Sequence, residues 1–292
     1  MKFCQSWNAE SVEILSTKKF CDRFLEEYQT DLLIRGLMNI KFCKLDRLGK
    51  AYLATFAVPN ADAPAHSKKT FGFCLITDQL WFFDDTDTVR PLIEEIKLSK
   101  ITDINSPVLF LYHFLEQLIR NDIQQLQRYE DKLSQLEGLL LHTELKHFEQ
   151  QIFLVRKDLT ALCSYYRQLS DICETIGKHI ATPDHPRCAQ LYVLLNDKIQ
   201  RLYDMVQMLI DYSIQLREMH QTGIDMRQNQ IMRTLTIVTT LFMPLSLIAA
   251  WYGMNFTTMP ELKSAYGYPA ICILCLIIIL LEILLFRKKR WF

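Results

Sequence analysis

Nineteen consecutive residues without a charge, Thr234 to Tyr252, constrain this chain more than any other feature. At roughly 1.5 Å per residue, a helix of that length matches the ~30 Å hydrocarbon core of a bilayer. A second apolar run, Pro269 to Phe286, is broken only by Glu282. The loop between them, Gly253 to Tyr268, carries Glu261 and Lys263 as its charges. The chain ends in Arg287-Lys288-Lys289-Arg290-Trp291-Phe292. Such a basic cluster belongs on the cytoplasmic side, with Trp291 as an interfacial anchor. The predicted topology is a multi-pass hairpin in the cell (inner or plasma) membrane, with both termini cytoplasmic and the short loop outside. A buried soluble hairpin is the alternative, and the basic clamp argues against it. Glu282 either snorkels to the interface, where Arg287 can meet it, or acts as a second ion ligand within the membrane.

The remainder differs in kind. The 292 residues hold 33 basic and 33 acidic side chains, almost all of them before the first span. The balance gives no bias toward nucleic acid, and the asymmetry reads as a soluble body joined to a membrane anchor. Nine cysteines, odd in number and irregularly spaced, fit a reducing compartment and small buried apolar roles. Cys272-x-x-Cys275 lies in an apolar run with no second pair and reads as filler rather than a metal or redox site. There is no Gly-rich phosphate loop, HExxH or zinc-finger spacing, so no enzyme is expected.

Three regions follow. Residues 1–98 read as a cytoplasmic α/β domain, with a helix over 20–28, strands over 51–58, 70–77 and 79–83, a loop over 60–69 and a helix over 89–97. Residues 99–233 read as a helical bundle and stalk, with helical periodicity over 109–141 and 144–177 and a break at Thr182-Pro183-Asp184-His185-Pro186. From Cys188 the pattern runs to the first span with Gly223 as its one glycine and no proline before Pro244. That predicts one helix of roughly 60 residues, on the order of 90 Å long. Residues 234–292 form the hairpin: spans over 234–252 and 269–286, an outer loop over 253–268 and a basic tail over 287–292. Asp84-Asp85-x-Asp87, at a strand end, is either a solvated turn or a regulatory cation site, since carboxylates suit hard cations.

The first span is no ordinary anchor. Asn229, Met232, Thr236, Thr239, Met243, Ser246, Ala250 and Gly253 recur at steps of three and four and share one helical stripe. Small and weakly polar groups on one stripe suit close helix packing, or the wall of a pore enclosed by several copies. Pro244, mid-span, removes a backbone donor and frees a carbonyl.

The stretch Tyr252-Gly253-Met254-Asn255-Phe256-Thr257-Thr258-Met259-Pro260-Glu261-Leu262 resembles the signature loop of the CorA family of magnesium transporters. Phe242-Met243-Pro244-Leu245, Tyr266-Gly267-Tyr268-Pro269 and the terminal Lys/Arg-Trp ending fit it as well. The resemblance is tight over 229–292 and looser, in element order, before that. It implies an α+β cytoplasmic domain, an α/β/α sandwich with long stalk helices, joined to two C-terminal transmembrane helices in a funnel-shaped homopentamer. It implies transport of hydrated divalent cations, Mg²⁺ foremost, with Co²⁺ or Ni²⁺ also admitted. By position Gly253, Met254 and Asn255 would form the ion entrance. Asn229, Met232, Leu235, Thr239, Met243, Ser246 and Ala250 would line or gate the pore, Leu235 replacing Thr236 at its turn. Met259, Pro260 and Glu261 would belong to the outer loop. In the family, cytosolic Mg²⁺ bound between protomers closes the channel; here the matching stalk stretch reads Leu194-Leu195-Asn196-Asp197, leaving Asp84, Asp85 and Asp197 as candidates. A zinc or other transition-metal transporter on the same scaffold is the alternative, and a membrane-tethered coiled-coil scaffold a more distant one.

Overall fold

The computed structural model describes residues 12–28, 37, 39–49, 51–76, 79–98, 104, 106–140, 147–179, 186–254 and 266–288. The chain divides into two compact units, Met1–Arg217 and Glu218–Phe292.

The first unit is built on a five-stranded sheet of order β1-β5-β4-β3-β2. Strands β2 (Lys44–Leu48), β3 (Ala51–Pro59), β4 (Lys68–Ile76) and β5 (Gln79–Asp84) form an antiparallel meander. Strand β1 (Glu13–Leu15) joins β5 in parallel, Leu15 opposite Phe83. Side chains alternate between faces along a strand, so β4 and β5 feed two cores. Phe71, Phe73 and Phe82 enter the larger one, while Cys74, Trp81 and Phe83 enter a smaller one with Phe20 and Cys21 of α1 (Thr17–Tyr28). Covering both faces makes the α/β/α sandwich. It also explains why the central strands read as nearly continuous apolar runs.

The sequence shows the central strands and hides the edges. Strand β2, Lys-Leu-Asp-Arg-Leu, has three charges in five residues, and β1 has only three residues. Short, charged edges resist pairing with other chains, and the same composition erases the alternating apolar signal.

Helices α2 (Val89–Leu98), α3 (Pro107–Leu118), α4 (Asp122–Leu140) and α5 (Phe148–His179) follow, then α6 (Pro186–Tyr252) and α7 (Gly267–Lys288). Ser106 caps α3, its hydroxyl accepting from the Leu109 amide at 3.2 Å, and Pro107 opens the first turn. The stretch of helical periodicity over 109–141 holds two helices, α3 and α4. The backbone leaves helical geometry at Ile119 (φ −98°, ψ 4°), and tight bonds from Arg120 N–H to Gln117 O and from Asp122 N–H to Ile119 O turn the chain. Periodicity misses this break because Leu115, Ile119, Leu126 and Tyr129 on both sides of it enter the same core.

Buried thiols behave as the small apolar groups expected. Burial pushes the Cys43 thiol up to about 11 and that of Cys173 up to about 12. The predicted long helix is present as α6, 67 residues with Pro244 inside it.

In the second unit the end of α6 and the whole of α7 are long and apolar enough to cross a membrane, with mean hydropathies of 1.7 and 3.0 along their most apolar stretches. Helix α7 has no buried residue.

Candidate functional site

Within the span, the half-buried positions of α6 are Ile237, Leu241, Pro244, Leu245, Ile248 and Tyr252. They fall on one stripe. The positions Asn229, Met232, Leu235, Thr236, Thr239, Met243, Ser246 and Ala250 are all exposed. At 3.6 residues per turn these two sets lie on opposite sides of the helix, roughly 180° apart. The small, polar and Met-bearing face is therefore the one turned away from whatever shades the other. Leu235 and Thr236 sit side by side on this face, so both are open to it.

The threonines on and beside this face are less polar than their composition suggests. The Thr236 hydroxyl donates to the Met232 carbonyl at 2.8 Å, that of Thr239 to Leu235 at 2.7 Å, and that of Thr240 to Thr236 at 2.8 Å. Each hydroxyl proton is spent inside the helix, leaving an oxygen lone pair facing outward. Pro244 has no N–H, so the Thr240 carbonyl lacks its usual helical donor.

The helix ends at Tyr252. The Gly253 amide still donates to Ala249 O at 2.9 Å, and Met254 N–H reaches Trp251 O at 3.4 Å. A Cβ at residue 253 would stand 2.9 Å from the Ala249 carbonyl oxygen, too close for an ordinary contact. Glycine thus lets the chain close its last turn and leave at once. Met254 is exposed. Asn255, Met259, Pro260 and Glu261 lie outside the described residues.

The acidic candidates are placed as follows. Asp84 Oδ2 accepts from the Val89 amide at 2.7 Å at the start of α2, and its Oδ1 from the Thr86 amide and hydroxyl, both at 2.8 Å. Asp85 Oδ1 accepts from the Thr17 amide at 3.0 Å at the start of α1. Both carboxylates thus serve helix N-termini, where anions are favoured. Asp197 is exposed on α6. Among the described residues no three His, Cys, Asp or Glu side chains converge as a metal site.

One pattern escaped the sequence reading. The seven-residue step through Met232, Thr239, Ser246 and Gly253 runs backward to Asp225, Glu218, Asp211, Asp204 and Asp197, all exposed. An ideal helix drifts about 20° per heptad, so Asp225 and Glu218 stay on the stripe's side. The heptad spacing was the available signal.

Comparison with known proteins decides the family. The profile of the family described as CorA-like Mg²⁺ transporter protein matches residues 84–288. The chain belongs to this family. It is 25% identical over 206 residues to the cobalt/magnesium transport protein CorA of Thermotoga maritima, covering 70% of this chain and 59% of that one. To the magnesium transport protein CorA of Haemophilus ducreyi it is 24% identical over 244 residues, covering 76% of each. The complete structure of the CorA magnesium transporter from Methanocaldococcus jannaschii superposes with a TM-score of 0.78 at 19% identity, covering 96% of this chain and 90% of that one. That likeness establishes a shared fold.

Proposed function

We propose that this CorA-like chain forms a homopentamer in the cell membrane that conducts hydrated divalent cations, Mg²⁺ foremost. The observation that carries the reading is the stripe from Asn229 to Ala250, exposed and opposite the shaded face of α6. One helix cannot enclose a path. Copies arranged around an axis, each turning this face inward, can. The names of the Thermotoga and Haemophilus relatives support magnesium, and the former adds cobalt.

Mg²⁺ dehydrates reluctantly and keeps several waters. A ring of Asn255 amides after Gly253 and Met254 would hold the ion through those waters, attracting it without trapping it. Met232, Leu235 and Met243 would narrow the path to apolar rings that block current by dewetting. Between them Thr239, Ser246 and Ala250 offer small or weakly polar walls. Glu218 and Asp225 would raise the local cation concentration at the cytoplasmic mouth, and Asn229 would mark its end. With the basic tail inside, both termini are cytoplasmic and the loop with Met259, Pro260 and Glu261 faces out. As a closing site for cytosolic Mg²⁺, Asp197 is the better placed candidate. It has no hydrogen bond or ion pair among the described residues, whereas Asp84 and Asp85 are engaged as caps.

The test is uptake into liposomes carrying the purified protein and a Mg²⁺-sensitive dye. Asn255→Ala is expected to bring uptake down to that of protein-free vesicles. Uptake at the wild-type rate would sink the assignment. Repeating the assay with Co²⁺, Ni²⁺ and Zn²⁺, with and without a pH gradient, separates a magnesium channel from a proton-coupled zinc transporter.

A further inference from the structure

The first unit contains a cavity of about 600 Å³ between the end of α3, the turn that follows it and α6. That volume suits a small organic molecule. Its apolar lining includes Ile96, Leu202 and Met205, with Ile123 half exposed at 51%. The charged groups around it are unbalanced. Glu116 is the one carboxylate among the described residues that line it, and that is already taken up by Lys198, with His113 Nδ1 at 3.9 Å. His113 itself is held below its usual pKa, by burial first and against the pull of Glu116, so at neutral pH it adds no charge. Two arginines remain. Arg201 has no hydrogen bond or ion pair among the described residues and repels the nearby Lys198. Arg120 has only a long contact, 3.5 Å, to the Gln117 side-chain oxygen.

We propose that this cavity binds an amphipathic organic anion, a ring-sized apolar body bearing one phosphate or carboxylate group. The anionic head would pair with Arg120 and Arg201, whose planar guanidinium groups match phosphate and carboxylate oxygens. The apolar body would cover Ile96, Leu202 and Met205. The inference is independent of ion conduction, because it rests on charge and shape in the first unit alone.

The experiment is isothermal titration calorimetry on the purified full-length protein, with 1-naphthyl phosphate, 1-naphthoate and inorganic phosphate as probes. At least one naphthyl probe should bind with a dissociation constant below about 1 mM, with inorganic phosphate at least about tenfold weaker. Arg201→Gln and Arg120→Gln alter exposed side chains and should each weaken binding by about tenfold without changing the melting temperature. No binding by either naphthyl compound would overturn the proposal. So would equal binding of inorganic phosphate, or unchanged affinity in both variants.

Discussion

At the scale of single residues, Gly72 and Asp122 show how tightly the first unit is set. A Cβ at Gly72 would lie 2.1 Å from Phe83 Cζ and 2.3 Å from the Ala54 carbonyl oxygen. The ring is held in turn by Phe20, stacked on it at 4.6 Å, so it has little room to withdraw. Gly72→Ala should destabilise the protein by about 1–3 kcal/mol, the usual range for overpacking, seen as a lower denaturant midpoint. A midpoint equal to wild type would mean that Phe83 moves freely. Asp122 makes a pH-dependent contribution. Burial pushes its carboxyl up to about 6, against the bond that it accepts from Tyr166 Oη at 3.0 Å. A carboxyl with a raised folded pKa binds more protons folded than unfolded. Its contribution is complete below about pH 4 and is lost as pH rises through about 6. Asp122→Asn keeps an acceptor for Tyr166 but cannot ionise. Between about pH 4 and pH 7 the wild type should lose on the order of 2 kcal/mol more stability than this variant. Parallel stability–pH curves for the two proteins would rule this out. Neither residue stands out in the sequence, because both effects come from partners far along the chain.

At the scale of elements, legibility depends on how much of a signal is local. Helix α6 was readable because its cues lie along one helix: no proline between Cys188 and Pro244, a heptad recurrence, and a change from charged to uncharged. The turn at Ile119–Asn121 and strand β2 were not, since the first hides inside a shared core and the second lacks an apolar alternation. The stripe itself was visible as a pattern, but which side of the helix is shaded was not, because shading depends on the fold. That distinction yields a prediction. Ser246 is on the exposed stripe and Ile248 on the shaded one. Under the pore reading, Ser246→Cys places a ring of thiols in the ion path, and Cd²⁺, a thiolate-seeking ion, should bind there and block flux. Flux through Ser246→Cys should fall at least about tenfold at micromolar Cd²⁺, while Ile248→Cys stays as insensitive as wild type with its native Cys272 and Cys275. Equal sensitivity of the two variants would place the stripe away from the ion path.

At the scale of the whole molecule, the chemistry of the span asks for more copies. The threonine hydroxyls donate within their own helix, so a lone span would not be forbidden by unsatisfied donors. The pull toward assembly comes instead from small residues that let helices approach closely. A second pull follows from the proposed pore, in which each chain would supply one wall of a path that needs several. Five is the number that the family resemblance implies. It is not set by the geometry of one chain. The particle purified in mild detergent should therefore have a protein mass five times the chain's 34.4 kDa, measured by native mass spectrometry. The same preparation should carry Mg²⁺ flux after reconstitution. Another ring size with full flux would keep the shared-path argument and discard the number taken from the family. A single-chain mass in a preparation that conducts would discard both, because the stripe would then have no partner with which to enclose an ion.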